Sequence, residues 1–103
     1  MRLAILVLCN ACDTKRLDAS MRWNKESPYP VFYRSFCDCG QGATIHPRIE
    51  CLPCCRGIAG RVLDRPEMVT RLKYAYTSLN LSHFTHIMKI DDDTQINYGA
   101  LEQ

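Results

Sequence analysis

The chain has 103 residues, of which 23% are charged and 47% hydrophobic, with a formal net charge of +2 and seven cysteines. At this length it is one domain or part of one, and it buries only about two-thirds of its unfolded surface, which excludes a large multidomain enzyme. Basic and acidic residues are mixed along the chain instead of forming blocks, which argues against a general nucleic-acid binder with its strongly basic, counterion-releasing face.

The first element, Leu3 to Cys9, is a continuous aliphatic run, as expected of a strand covered on both faces. Arg2 before that run imitates a secretion signal, but the run is far short of the roughly 20 apolar residues of a membrane span. A turn from Asn10 to Asp13 leads into a helix from Thr14 to about Asn24, where Leu17 and Met21, and Ala19 and Trp23, stand four apart. Pro28 and Pro30 close that segment, and Val31, Phe32, Tyr33 and Phe36 predict a second strand.

The stretch from Cys37 to Val62 combines Gly40, Gly42, Pro47, Pro53, Gly57 and Gly60 with five cysteines, and predicts loop with room for one short strand. Asp64 stands three residues before Glu67 like a capping pair, with Leu63 and Met68 placed as a staple. Met68, Val69, Leu72, Ala75, Tyr76 and Leu79 recur at helical spacing, so a helix is predicted over Asp64 to Leu79. Phe84 to Ile90 reads as a strand running into Asp91, and Tyr98 to Gln103 as the opening of another helix. This order of elements predicts an α/β fold, a mostly parallel sheet flanked by helices, with the pattern stopping before a closing element.

Asp91, Asp92 and Asp93 directly follow the last apolar strand. Adjacent carboxylates repel, and a divalent cation offsets that cost. Aspartates suit magnesium or manganese, commonly held by one or two protein carboxylates with phosphate oxygens completing the shell. In open α/β sheets ligands gather at the carboxyl ends of strands, where this run sits. The competing reading is a solvated acidic turn, for which Thr94 and Asn97 are ordinary residues.

Thr14, Lys15 and Arg16 occupy the first helix's first turn, where the helix dipole disfavours cations. An anion docked there makes the arrangement sensible: helix-start amides, a hydroxyl and two cations would cradle a diphosphate. Otherwise both long side chains simply extend into water.

Two stretches resemble the inverting β-1,3-galactosyltransferases and their relatives, the β-1,3-N-acetylglucosaminyltransferases and fringe proteins. Lys15-Arg16-Leu17-Asp18-Ala19-Ser20-Met21-Arg22-Trp23 is similar to that family's basic helix ending in Trp, though it lacks the usual second arginine and threonine before the Trp. His86-Ile87-Met88-Lys89-Ile90-Asp91-Asp92-Asp93-Thr94 resembles the strand delivering the family's DxD motif, with Ile96-Asn97 matching the apolar-Asn pair that follows. The predicted helix from Asp64 to Leu79 corresponds to the one preceding that strand, whereas the cysteine-rich insertion at about 37–62 has no counterpart.

The resemblance implies a GT-A, Rossmann-like nucleotide-sugar-binding half, with residues 1–103 forming part of a glycosyltransferase catalytic domain. It implies a UDP-sugar donor contacted by Thr14, Lys15, Arg16, Asp91 and Asp92. Manganese or magnesium would be bound chiefly through Asp93, with Asp91 beside it. It further implies transfer with inversion to a hydroxyl of a glycan or glycoprotein, in the Golgi lumen, with any membrane anchor outside these residues. The cation would neutralise charge growing on the departing diphosphate while a base deprotonates the acceptor. In the family that base and a metal-binding histidine come from the later half of the domain, beyond Gln103, so a fragment inactive alone is expected.

His83 and His86 lie near the acidic run but match no family ligand, and His86 is expected to be a partly buried, hydrogen-bonded strand residue. Cys37, Cys39, Cys51 and Cys54 have spacings that could wrap a structural zinc, and Cys9 and Cys12 repeat a two-residue gap. Disulfides and buried thiols are equally open, the odd cysteine count ruling out complete internal pairing. A zinc staple would favour another class of function, a small binding module whose acidic run is mere surface. An aspartate-based phosphotransferase fits less well, because it wants Asp-x-Asp-x-Thr and here Thr94 follows Asp93 directly. One sequon, Asn80-Leu81-Ser82, is present, and a single triplet of this kind is near chance.

Overall fold

A computed structural model of the protein describes residues 2–36, 44–52 and 72–101. The aliphatic run forms β1 (Leu3–Leu8), followed by helix α1 (Thr14–Trp23) and strand β2 (Val31–Ser35). The short strand expected within the cysteine-rich stretch is β3 (Glu50–Cys51). Residues 72–77 are helical and form α2, while 64–71, the predicted start of that helix, lie outside the described residues. A 3-10 turn (Leu81–His83), strand β4 (His86–Asp91) and the short helix α3 (Tyr98–Leu101) complete the order.

All strand pairs are parallel, in the order β3-β2-β1-β4, so β1 lies between its two long partners. This confirms an α/β molecule with a parallel sheet flanked by helices. Leu3 to Val7 are buried without interruption, which is why the run is aliphatic throughout instead of alternating with polar residues. Successive side chains of a strand point to opposite faces. Leu3, Ile5 and Val7 meet Ile90, with Val31, Tyr33, Ile96, Tyr98 and Leu101 packed around them. Leu6 faces the other way into Phe36, Leu52, Ala75 and Leu79, with Ile87 alongside. Helix α2 therefore covers one face and α3 the other. Helix α1 joins α3 on that second face, where Leu17 packs on Ala11 and Ile49 beside Cys9, Met21 and Tyr33. Each fully buried side chain of this size, Ile5, Leu6 and Leu17 among them, contributes roughly 1.5–3 kcal/mol.

Two details position the site. Asp13 caps α1, its carboxylate accepting the Arg16 N–H at 3.2 Å, so the helix begins immediately after the turn leaving β1. At the other end Asn24 is the C-cap, and its Nδ2 donates to the Ser20 carbonyl at 3.0 Å and to the Tyr33 hydroxyl at 3.0 Å. The Tyr98 hydroxyl in turn donates to Asn24 Oδ1, which fastens α3 to the far end of α1.

Strand β4 starts at His86, not at Phe84 as the apolar pattern suggests. Phe84 N–H closes the 3-10 turn on the Leu81 carbonyl at 3.3 Å, and chain pairing begins with Thr85 N–H on the Arg2 carbonyl at 2.8 Å. Turn hydrogen bonds thus claim the residue that hydrophobicity assigns to the sheet.

Candidate functional site

Parallel pairing fixes where the acidic run emerges. Leu8 is in register with Asp91 on β4 and with Arg34 on β2, so the residues after β1 and after β4 come off the same rim of the sheet. The turn from Cys9 to Asp13 and the turn from Asp92 to Thr94 are side by side there, with the first turn of α1 above them.

The three carboxylates do not act as a block. Asp91 follows Lys89 on one face of β4, and Lys89 Nζ lies 2.8 Å from its Oδ1 in an exposed ion pair. Asp92 turns toward α1 and is buried, its side chain 10% exposed, with Arg16 Nη1 3.6 Å from its Oδ1 and the Asn10 backbone N–H as a hydrogen-bond donor. Arg16 also lies 3.6 Å from Asp13, so one guanidinium sits between two carboxylates. Asp93 is exposed and forms no ion pair among the described residues. The Thr94 N–H returns to the Asp91 carbonyl at 3.1 Å and closes the turn.

Burial raises the Asp92 carboxyl above the ordinary aspartate range, and the neighbouring charges of Asp93 and Asp13 add to this, while Arg16 and the Asn10 N–H oppose it. The rim is thus a place where negative charge is held at a cost. Cys9 is part of it: its thiol is pushed up to about 12 by burial and by the charge of Asp92, and its Sγ donates to the Arg34 carbonyl at 3.4 Å.

Of the residues picked out in the sequence, Arg16 and Asp92 are brought together, and Thr14, Asp91 and Asp93 lie on the same rim. Lys15 is exposed and makes no ion pair among the described residues. His83 and His86 stand at the opposite, amino-terminal end of β4. His86 is exposed rather than partly buried because it opens a sheet-edge strand, and its Nδ1 lies 2.9 Å from the Thr85 hydroxyl.

The donor set suits a hard divalent cation in the sparse mode that depends on phosphate. No group of three or more His, Cys, Asp or Glu side chains converges among the described residues, so a cation here would take one or two carboxylates and leave its other positions to a ligand. Asp93 is exposed and without an ion pair among the described residues, and Asp91 is exposed at the strand end with Lys89 at 2.8 Å; these two carboxylates could face such an ion.

One feature of the cysteine-rich region is not legible in the sequence. His46 is buried and anchors its loop to α1: its Nε2 lies 2.8 Å from Asp18, its Nδ1 accepts the Arg48 N–H at 3.1 Å, and its own N–H bonds the Ala11 carbonyl at 2.9 Å. A histidine with both ring nitrogens engaged acts as a structural fastener, and no motif in the sequence announces it. Of the cysteine states that the sequence leaves open, Cys12 and Cys51 are each disulfide-bonded whereas Cys9 is a free thiol. A sulfur in a disulfide offers no thiolate to zinc; Cys37, Cys39 and Cys54, the other residues of the expected zinc set, lie outside the described residues.

No helix among the described residues is long and apolar enough to cross a membrane. Compared with known proteins, the chain matches no family model, no characterised protein and no solved structure.

Proposed function

We propose that this chain is the amino-terminal, nucleotide-sugar-binding half of a metal-dependent inverting glycosyltransferase, with the rim around Arg16 and the acidic turn as its donor site. The observation that carries the reading is the meeting of Arg16 with Asp92 at 3.6 Å across the exits of two adjacent parallel strands. A cationic helix start and a carboxylate turn on one rim are what a diphosphate and its counter-cation require together. The likeness of Lys15 to Trp23 and of His86 to Thr94 to the β-1,3-galactosyltransferase family supports the same assignment and supplies its substrate class, a UDP-sugar donor and a glycan or glycoprotein hydroxyl as acceptor.

In this reading Arg16 binds the donor phosphates, and Thr14 and the free amides of the first turn of α1 add neutral donors. Asp92, buried and bonded to the Asn10 N–H, sets the direction of the Arg16 guanidinium and faces ribose or sugar. Asp93, with Asp91, would hold manganese or magnesium. Such an ion supplies charge neutralisation on the departing diphosphate. The general base is assigned to no residue of this chain. Disulfides at Cys12 and Cys51 accord with an oxidising compartment such as the Golgi lumen.

Thermal unfolding with manganese and UDP tests this directly. Ligand at about a hundred times its Kd stabilises the native state by about 2.7 kcal/mol. That gain is expected with both additives, to be lost in Asp93→Ala and weakened in Arg16→Ala. A chain indifferent to UDP at every manganese concentration, but unfolded by a chelator with release of zinc, would instead be a zinc-stapled binding module.

A further inference from the structure

We infer that Asn80 is the acceptor of an N-linked glycan, carried at the end of the molecule opposite the acidic rim. Asn80-Leu81-Ser82 satisfies the acceptor pattern with a residue other than proline at its centre. Three structural observations raise it above a chance triplet.

The first is access. Asn80, Leu81, Ser82 and His83 are all exposed, Leu81 at 46% despite being apolar. They lie on the turn between α2 and β4, where His83 N–H closes on the Asn80 carbonyl at 3.0 Å. A bulky polar modification at this turn displaces no packed side chain.

The second is the side-chain geometry. The Ser82 hydroxyl donates to Asn80 Oδ1 at 2.7 Å. Donation to the amide oxygen draws electron density from the nitrogen and makes its N–H easier to lose, a chemical use for the hydroxyl that the pattern demands two residues on. Among the described residues Asn80 Nδ2 meets only His83 Nε2, at a long 3.4 Å, on an exposed residue.

The third is compartment. Cys12 and Cys51 are disulfide-bonded, which fits the oxidising lumen in which such acceptors are modified.

The co-reactant is an oligosaccharide carried on a lipid diphosphate. Asn80 Nδ2 attacks its anomeric carbon; the C–N bond forms as the anomeric C–O bond breaks. The electron pair leaves with the diphosphate and one Nδ2 proton passes to base, with no change of oxidation state. Because the turn precedes β4, the glycan sits at the amino ends of the parallel strands. It leaves the Asp92 rim open and shields Leu81. None of this depends on the glycosyltransferase reading.

The test is to direct the full chain into the secretory pathway of cultured animal cells with a cleavable leader, and to examine the secreted product by gel mobility and peptide mass. Slower migration is expected, reversed by a peptide N-glycosidase that converts Asn80 to Asp within tryptic peptide 74–89. Asn80→Gln and Ser82→Ala should abolish the shift, and Ser82→Thr should retain it, which separates loss of the acceptor from loss of folding. Unmodified Asn80 in secreted chain whose Cys12 and Cys51 are oxidised, or a shift that survives in Asn80→Gln, would overturn the inference.

Discussion

Replacing Asp92 by Asn should leave the fold at least as stable at neutral pH while removing nucleotide binding. Asp92 is buried, and its carboxyl is raised above 3.8 first by that burial and then by Asp93 and Asp13. A carboxyl whose native pKa exceeds its unfolded value binds its proton more tightly when folded. The stability this supplies is full below the unfolded pKa and is lost as pH rises through the native one. Once pH exceeds that native pKa, Asp92 carries its charge in a setting that disfavours the ion. Against this stands the pair with Arg16 at 3.6 Å, but Arg16 is 52% exposed, and solvent screening limits such a pair to about 1 kcal/mol or less. Asparagine keeps an oxygen for the Asn10 N–H and sheds the cost of the charge. Asp92→Asn should then match or exceed the parent by up to about 1 kcal/mol, or roughly 4–8 °C for a domain of this size. Urea titrations of both proteins at pH 7 and near pH 4 supply the measurement, and the variant should lack the part of the parent's pH dependence in the acid range. Destabilisation beyond about 1 kcal/mol at pH 7 would mean that the ion pair outweighs desolvation, and would refute the reasoning. A stable variant that no longer responds to manganese and UDP would mark Asp92 as a group kept for function at the expense of stability.

Cys9, held near 12, should carry about a thousandfold less thiolate at pH 8 than a thiol with the ordinary pKa. Timed alkylation followed by peptide mapping should show slow labelling in the folded protein, restored by urea; labelling as fast as in the unfolded chain would contradict its burial beside Asp92. Leu17→Ala empties a fully buried position against Ala11, Ile49 and Met21 and should cost about 2–5 kcal/mol in urea unfolding; a loss below 1 kcal/mol would place α1 loosely on the sheet. His46→Ala removes two hydrogen bonds, from the Arg48 N–H and to the exposed Asp18 carboxylate, and at about 0.5–1.5 kcal/mol for each bond should cost about 1–3 kcal/mol. Amide exchange should quicken at Arg48 and Ile49 while staying unchanged at Ile5 and Leu6, and uniform quickening would show that His46 supports the whole fold.

Several elements were legible because one physical cause dominates each. The run from Leu3 to Leu8 is aliphatic on every position because helices cover both faces, and α1 stands between the turn ending at Asp13 and the prolines Pro28 and Pro30 that close its segment. The parallel arrangement followed from strand and helix order alone. The site was legible only in outline. That Asp91, Asp92 and Asp93 and the basic start of α1 would share a rim follows from parallel pairing. The partition of the carboxylates does not, because it depends on which cation reaches which oxygen: Lys89 takes Asp91 by lying two residues earlier on the same face, and Arg16 takes Asp92 across the strand exits. His46 was beyond reach of pattern reading, since its partners Asp18 and Ala11 are remote in sequence and come into range only when the loop folds onto α1.

The fastening of Tyr98 to Asn24 has a mechanical corollary. Upstream, the acidic turn is welded into the sheet by β4; downstream, a few residues later, the chain is tied to the foot of α1. A span clamped at both abutments has little play, so the backbone carrying Asp93 stays close to the sheet. Loosening the downstream clamp, as Tyr98→Phe would do without disturbing the apolar packing of the ring, should quicken amide exchange across the turn while leaving its carboxylates on the rim.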